Sequence, residues 1–155
     1  MTKPQTMTRA TALAALLAVG AMAVPAFAHH SYAMFDQSKT MTVTGMAYQY
    51  QPIPTHAELH VYLLGPDGKL AKKDGRMVDY GVEMAGSAAM ARQGITKETF
   101  PVGTIVSMKV NPMRNGSNFG SLVSGIAKCP WKAPPAAGAA CDSVAGHELI
   151  GAKTF

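Results

Sequence analysis

From position 40 onward the sequence predicts an all-β domain with one short helix, its five strands closed into a barrel. Three observations predict it. Successive segments alternate apolar and polar residues with the period of two that a half-buried strand requires. Glycine, proline and asparagine clusters separate those segments. A single short run, Ala88 to Gln93, carries helical signals between the third and fourth strands.

The first strand opens with Thr40-Met41-Thr42-Val43-Thr44, which alternates strictly. After Gly45 the large side chains change parity, putting Met46, Tyr48 and Tyr50 on one face and predicting a bulge or bend at the glycine. Gln51-Pro52-Ile53-Pro54-Thr55 is a loop, because its prolines cannot donate to a ladder. The second strand is expected from His56 to Leu64, with Ala57, Leu59, Val61 and Leu63 inward and His56, Glu58, His60 and Tyr62 outward.

Gly65-Pro66-Asp67-Gly68 is a turn, and Lys69 to Arg76 reads as a polar, mobile loop. Met77 to Met84 forms the third strand, with Val78, Tyr80, Val82 and Met84 on its inner face. Ser87 caps the helix and Gly94 ends it. Thr104 to Val110 is the fourth strand, Asn111 to Gly116 a turn, and Phe119 to Lys128 the fifth strand. Three strands, a helix and two strands is the order of an OB-type barrel, a closed five-stranded Greek key. A small sandwich is the alternative that strand order alone leaves open.

Ahead of this domain, residues 1–28 have the parts of a secretory signal peptide: a basic start with Lys3 and Arg9, an apolar stretch from Ala10 to Val24, and Pro25-Ala26-Phe27-Ala28 with small residues at the cleavage positions. The alternative is a retained anchor, but the stretch is alanine-rich and short of the ~20 strongly apolar residues of a span. No later stretch is apolar enough for one, so the expected product is a periplasmic or secreted protein without a stable membrane anchor after cleavage.

The division of the chain is then signal peptide 1–28, N-terminal lead-in 29–39, barrel domain 40–128, and a cysteine loop with C-terminal tail 129–155. Removing 28 of the 155 residues leaves one modest domain. The signal holds two of the 14 basic residues and none of the nine acidic ones, so the charge falls from +5 to +3. That excess is too small to point to nucleic acid. Cys129 and Cys141 are expected to pair in an oxidising compartment; free thiols and a metal pair are the alternatives, and the spacing fits no zinc motif.

His29-His30-Ser31-Tyr32, continued by Met34-Phe35-Asp36, resembles the mature N-terminus of a family of small exported bacterial proteins known only as a domain of unknown function. The resemblance runs from His29 to about Ala127. The family's Trp-x-Asn-Pro-His stretch is represented by Pro54-Thr55-His56, its Arg-x-Gly by Arg92-Gln93-Gly94, and its glycine turn by Pro112-Met113-Arg114-Asn115-Gly116. The Asn-Pro lead is rearranged here, and the residues after Lys128 look like additions. The resemblance implies an exported OB-like domain and no particular activity.

The junction carries the most distinctive chemistry. Cleavage after Ala28 would give His29 a free amine, which with its own Nδ1 closes a six-membered chelate suited to copper. A second imidazole opposite completes a three-nitrogen site. In a competing mode the amine, the His30 amide and the His30 Nδ1 bind Cu(II) together. His56 is the expected fold-borne partner, since four strand residues place it about 13 Å from His60 and exclude joint ligation. Met34 is a possible thioether ligand for Cu(I), against an anchoring role with Phe35.

The other polar groups suggest less. His60 is expected to be solvent-facing, and Asp36, Glu58, Asp79 and Glu83 look too scattered to nominate a carboxylate pair. Arg92 near a helix end and Arg114 in a glycine turn could bind an anion, though such arginines more often meet free carbonyls or acidic neighbours. Tyr48, Tyr50 and Tyr62 suit either a stacking platform or barrel packing. Two functions follow: a copper carrier, buffer or sensor using His29 with His30 or His56, or a metal-independent adaptor for a small molecule, envelope polymer or periplasmic protein. An enzyme, as a copper oxidase or oxygenase, ranks below both because no second catalytic group appears.

Overall fold

The computed structural model describes residues 30–151, with side chains from Tyr32. A short helix, α1 (His30–Ala33), precedes the strands. The lead-in segment is then fixed by Phe35, which is 1% exposed, bridges Met113 and stacks on Phe119 with ring centroids 6.2 Å apart.

Strand β1 (Met41–Gln51) is long enough to pair on both sides. Its first half is antiparallel to β6 (Ile105–Pro112), from Met41↔Val110 to Met46↔Ile105. Its second half is antiparallel to β2 (Glu58–Leu63), from Gly45↔Leu63 to Gln51↔Glu58. The predicted phase change is present but displaced. Gly45 sits in regular pairing, and the register slips between Ala47 and Gln49. Tyr48 therefore stays outside with Met46, whereas Tyr50 turns inward to pack against Phe100. A glycine marks where a strand tolerates crowding, not necessarily where it bulges: a Cβ on Gly45 would lie 2.7 Å from the Tyr62 carbonyl.

The polar stretch after β2 is an ordered hairpin, not a loop. Strands β3 (Lys72–Lys73) and β4 (Arg76–Met77) pair across Asp74-Gly75, both of which have positive φ (52° and 76°). That is the conformation of a two-residue type I′ turn, for which Asp-Gly is a favoured sequence. Met77 is consequently 39% exposed and leaves the core to Met84. Strand β5 (Asp79–Glu83) is antiparallel to β2, and β7 (Phe119–Leu122) runs parallel to β5 and antiparallel to β6.

The circuit β1-β2-β5-β7-β6 closes through the β1–β6 pairing. With the helix after its third strand, it has the strand order of an OB-type barrel. Ala57, Leu59, Val61, Val82, Val106 and Val110 are 0% exposed inside it. Helix α2 (Ser87–Arg92) and the following segment add Met90, Ile95 and Phe100 to this core. Gly86, not Ser87, occupies the N-cap, without a side-chain cap. Gly94 N donates to the Ala91 carbonyl and Ile95 N to that of Met90, a Schellman ending as Gly94 foretells.

The expected fifth strand is broken at Val123-Ser124-Gly125. Its second part, β8 (Ile126–Lys128), leaves β5 and pairs with the start of β6 and with β9 (Glu148–Ile150). Cys129 and Cys141 form a disulfide. The chain they close covers the outside of β6, where Cys141 N donates to Ser107 Oγ at 2.8 Å and Ser107 Oγ meets Thr44 Oγ1 at 2.8 Å. Ala127, Cys129 and Cys141 form a second small core there, so Ser107 is only 5% exposed despite facing away from the barrel interior. Among the described residues no helix is long and apolar enough to cross a membrane.

Candidate functional site

Because Ala57, Leu59 and Val61 point inward, Glu58, His60 and Tyr62 must line the outside of β2. In β5 the inward Tyr80 and Val82 likewise leave Asp79, Gly81 and Glu83 outside. Antiparallel register sets these two rows face to face as Glu58↔Glu83, His60↔Gly81 and Tyr62↔Asp79. The bulge in β1 adds Tyr48, whose ring stacks on Tyr62 with centroids 4.2 Å apart and planes 15° from parallel.

Polar contacts link Tyr48, Asp79, His60 and Glu58 in one chain, and a separate pair forms between His56 and Glu83. The Tyr48 hydroxyl donates to Asp79 Oδ1 at 2.8 Å. His60 Nε2 lies 3.1 Å from Glu58 Oε2, and its Nδ1 lies 3.7 Å from Asp79 Oδ2, an ion-pair distance. His56 Nδ1 approaches Glu83 Oε1 at 3.4 Å. Gly81 makes the middle of the face possible. A Cβ there would lie 2.6 Å from Phe119 Cε2, closer still to Cδ2, and 3.2 Å from His60 Cε1.

The electrostatics are those of a face short of positive charge. Burial pushes the Glu83 carboxyl above its usual range, the neighbouring Glu58 pushes it the same way, and His56 opposes both. Burial also raises the Tyr48 phenol, assisted by its bond to Asp79, so Tyr48 stays a neutral donor. Like charges directly opposite each other on adjacent strands cost about 0.2–1 kcal/mol. Glu58 and Glu83 occupy that relationship.

The structure redistributes the sequence-predicted groups. His29 lies outside the described residues, and His30 opens α1 with its side chain also outside them. His56, expected to open the second strand, lies just ahead of β2, which begins at Glu58; its side chain is 39% exposed and is engaged by Glu83. His60, expected to be solvent-facing, is only 17% exposed and bridges two carboxylates. Met34 is 42% exposed, so Phe35 is the lead-in side chain that packs as an apolar anchor. Arg114 takes the carbonyl-binding role: its Nε donates to the Ala33 carbonyl at 3.1 Å.

The carboxylates that looked scattered are brought together by strand pairing, Glu58 with Glu83 and Asp79 with His60 and Tyr48. Their parity along β2 and β5 was the available signal; the register that pairs the rows was not. Among the described residues no group of three or more His, Cys, Asp or Glu side chains is placed to hold a metal ion.

Fold and face together define a small closed β-barrel bearing an acidic, tyrosine-lined outer surface. The chain belongs to a family of unknown function (DUF6152), whose model matches residues 17–122. The match ends with the last residue of β7, so the disulfide and β8–β9 lie beyond it. No curated protein and no solved structure matches the chain.

Proposed function

We propose that this protein is an exported, metal-independent binding module that recognises a cationic group through the outer face of β1, β2 and β5. The group belongs to a small molecule, an envelope polymer or a protein partner. The observation that carries this is the opposed Glu58–Glu83 pair, flanked by Asp79 and the Tyr48–Tyr62 stack. A cation seated there relieves the like-charge opposition and meets aromatic faces suited to it. The disulfide is consistent with an oxidising address. The role needs no catalytic group.

Spermidine serves as the probe. Its addition should shift the Tyr48 and Tyr62 ring resonances saturably, and a chelator should change nothing. Glu58→Gln or Glu83→Gln should weaken binding about tenfold, the loss of one charge-assisted contact. Resonances unmoved by millimolar spermidine, or equal affinity in the double variant, would refute the assignment.

A second proposal, copper binding by the processed terminus, rests on Ala26-Phe27-Ala28 preceding His29-His30. Cleavage there would place an amine beside the His29 imidazole, or beside the His30 amide and Nδ1, and either set chelates Cu(II). The processed protein should take up one Cu(II) by intact mass, and a form whose His29 amine is acetylated should not. Equal uptake by both removes the N-terminal site.

A further inference from the structure

Among the described residues, Val102 (71%) and Trp131 (65%) are the most exposed large hydrophobic side chains. They lie on neighbouring turns, far apart in sequence. A Cβ on Gly103 would sit 3.5 Å from Trp131 Cη2, so the indole lies beside the Val102-Gly103 turn. Both turns are firmly held. Thr104 donates its amide and its hydroxyl to the Pro101 carbonyl at 3.0 and 2.7 Å, and Gly103 N donates to the Ala47 carbonyl. Trp131 follows Cys129-Pro130, tied by the disulfide, and Ala133 N closes its turn onto the Pro130 carbonyl.

Between the turns lies a shallow cleft of about 140 Å³, lined by Thr104, Ile105, Cys129 and the two lysines Lys128 and Lys132. Lys128 is partnered by Glu148 at 3.4 Å. No carboxylate lies within ion-pair distance of Lys132 among the described residues, and its φ of 63° fixes it in the exposed turn. Two rigid apolar tips beside an unneutralised lysine offer too little area for a protein partner. An aromatic side chain such as tryptophan supplies about 150–250 Å², whereas a stable interface takes about 800 Å² per partner. A planar interface needs no such area: indole rings settle at the headgroup level, and each lysine near an anionic surface adds attraction.

We propose that the adjoining turns Pro101-Val102-Gly103 and Pro130-Trp131-Lys132 dock the protein reversibly on an anionic lipid bilayer. Trp131 and Val102 enter the headgroup boundary, and Lys132 meets lipid phosphates. This surface is separate from the acidic face and does not depend on its ligand.

Trp131 is the single tryptophan of the chain, so its fluorescence reports on this surface alone. The full chain and a form beginning at His29 are each mixed with phosphatidylglycerol vesicles and with phosphatidylcholine vesicles. Trp131 emission should shift to the blue and become shielded from acrylamide with phosphatidylglycerol. Partitioning should be about fivefold weaker with Lys132→Gln, the contribution of one lysine, and the shift should be lost with Val102→Asp. Both positions are exposed, and circular dichroism verifies the fold. Unchanged emission with phosphatidylglycerol, an equal shift with phosphatidylcholine, or a Val102→Asp variant that shifts like the parent would each overturn the proposal.

Discussion

Gly81→Ala tests whether the acidic face depends on the absence of a side chain beneath it. The added methyl would sit 2.6 Å from Phe119 Cε2, closer still to Cδ2, and 3.2 Å from His60 Cε1. Phe119 is backed on one side by Phe35, on which it stacks and which is 1% exposed. Overpacking of this kind costs about 1–3 kcal/mol. Replacing glycine in a strand returns about 0.5–1 kcal/mol of backbone entropy. The net expectation is a loss of up to about 2.5 kcal/mol, or about 3–5 °C in Tm for each kcal/mol in a domain of this size. The methyl also pushes His60 away from its carboxylates, so its ring resonances should move. Thermal melts and histidine NMR measure both effects. A variant as stable as the parent, with His60 unmoved, would refute the packing that assembles the face.

Removing the disulfide with Cys129→Ser and Cys141→Ser opens a bridge with a sequence separation of 12, worth about 3 kcal/mol by loop entropy. The loss should appear as proteolytic sensitivity after Lys128, with the β1-β2-β5-β7-β6 circuit intact; simultaneous loss of the barrel would show that the C-terminal layer is integral to it. Two carboxylates should give opposite pH signatures in denaturant titrations. The folded pKa of Glu83 is raised, so its ionisation disfavours the fold above the ordinary value of 4.5, and Glu83→Gln should stabilise at pH 7 by about 0.2–1 kcal/mol and not below pH 4. Bonds from Ser38 and Lys39 lower Asp36 from 3.8 to about 2, so its stabilisation is complete above the first value and lost towards the second. Asp36→Asn should therefore weaken the protein at pH 7 and match it near pH 2.

Alternation in the sequence determined that Leu59, Val61, Val82, Val106 and Val110 would face a core, because burial of one strand face imposes a period of two whatever the neighbours are. The order of strands and helix pointed to the barrel ahead of a small sandwich, the closing β1–β6 pairing decided between them, and the cysteine pairing followed from there being only two. Asp74-Gly75 also carried a local signal, since the type I′ hairpin it forms depends on backbone preferences of those two residues. The slip at Tyr48 was different. Nothing within β1 says whether crowding is relieved at Gly45 or three residues later; the partners on both sides decide it. The acidic face is tertiary in the same sense. Glu58 and Glu83 are 25 residues apart in the sequence, and only the β2–β5 register opposes them, while a missing side chain at Gly81 lets His60 settle between carboxylates. Side-chain parity is written into each strand separately, but which rows meet is fixed by pairing across the closed sheet.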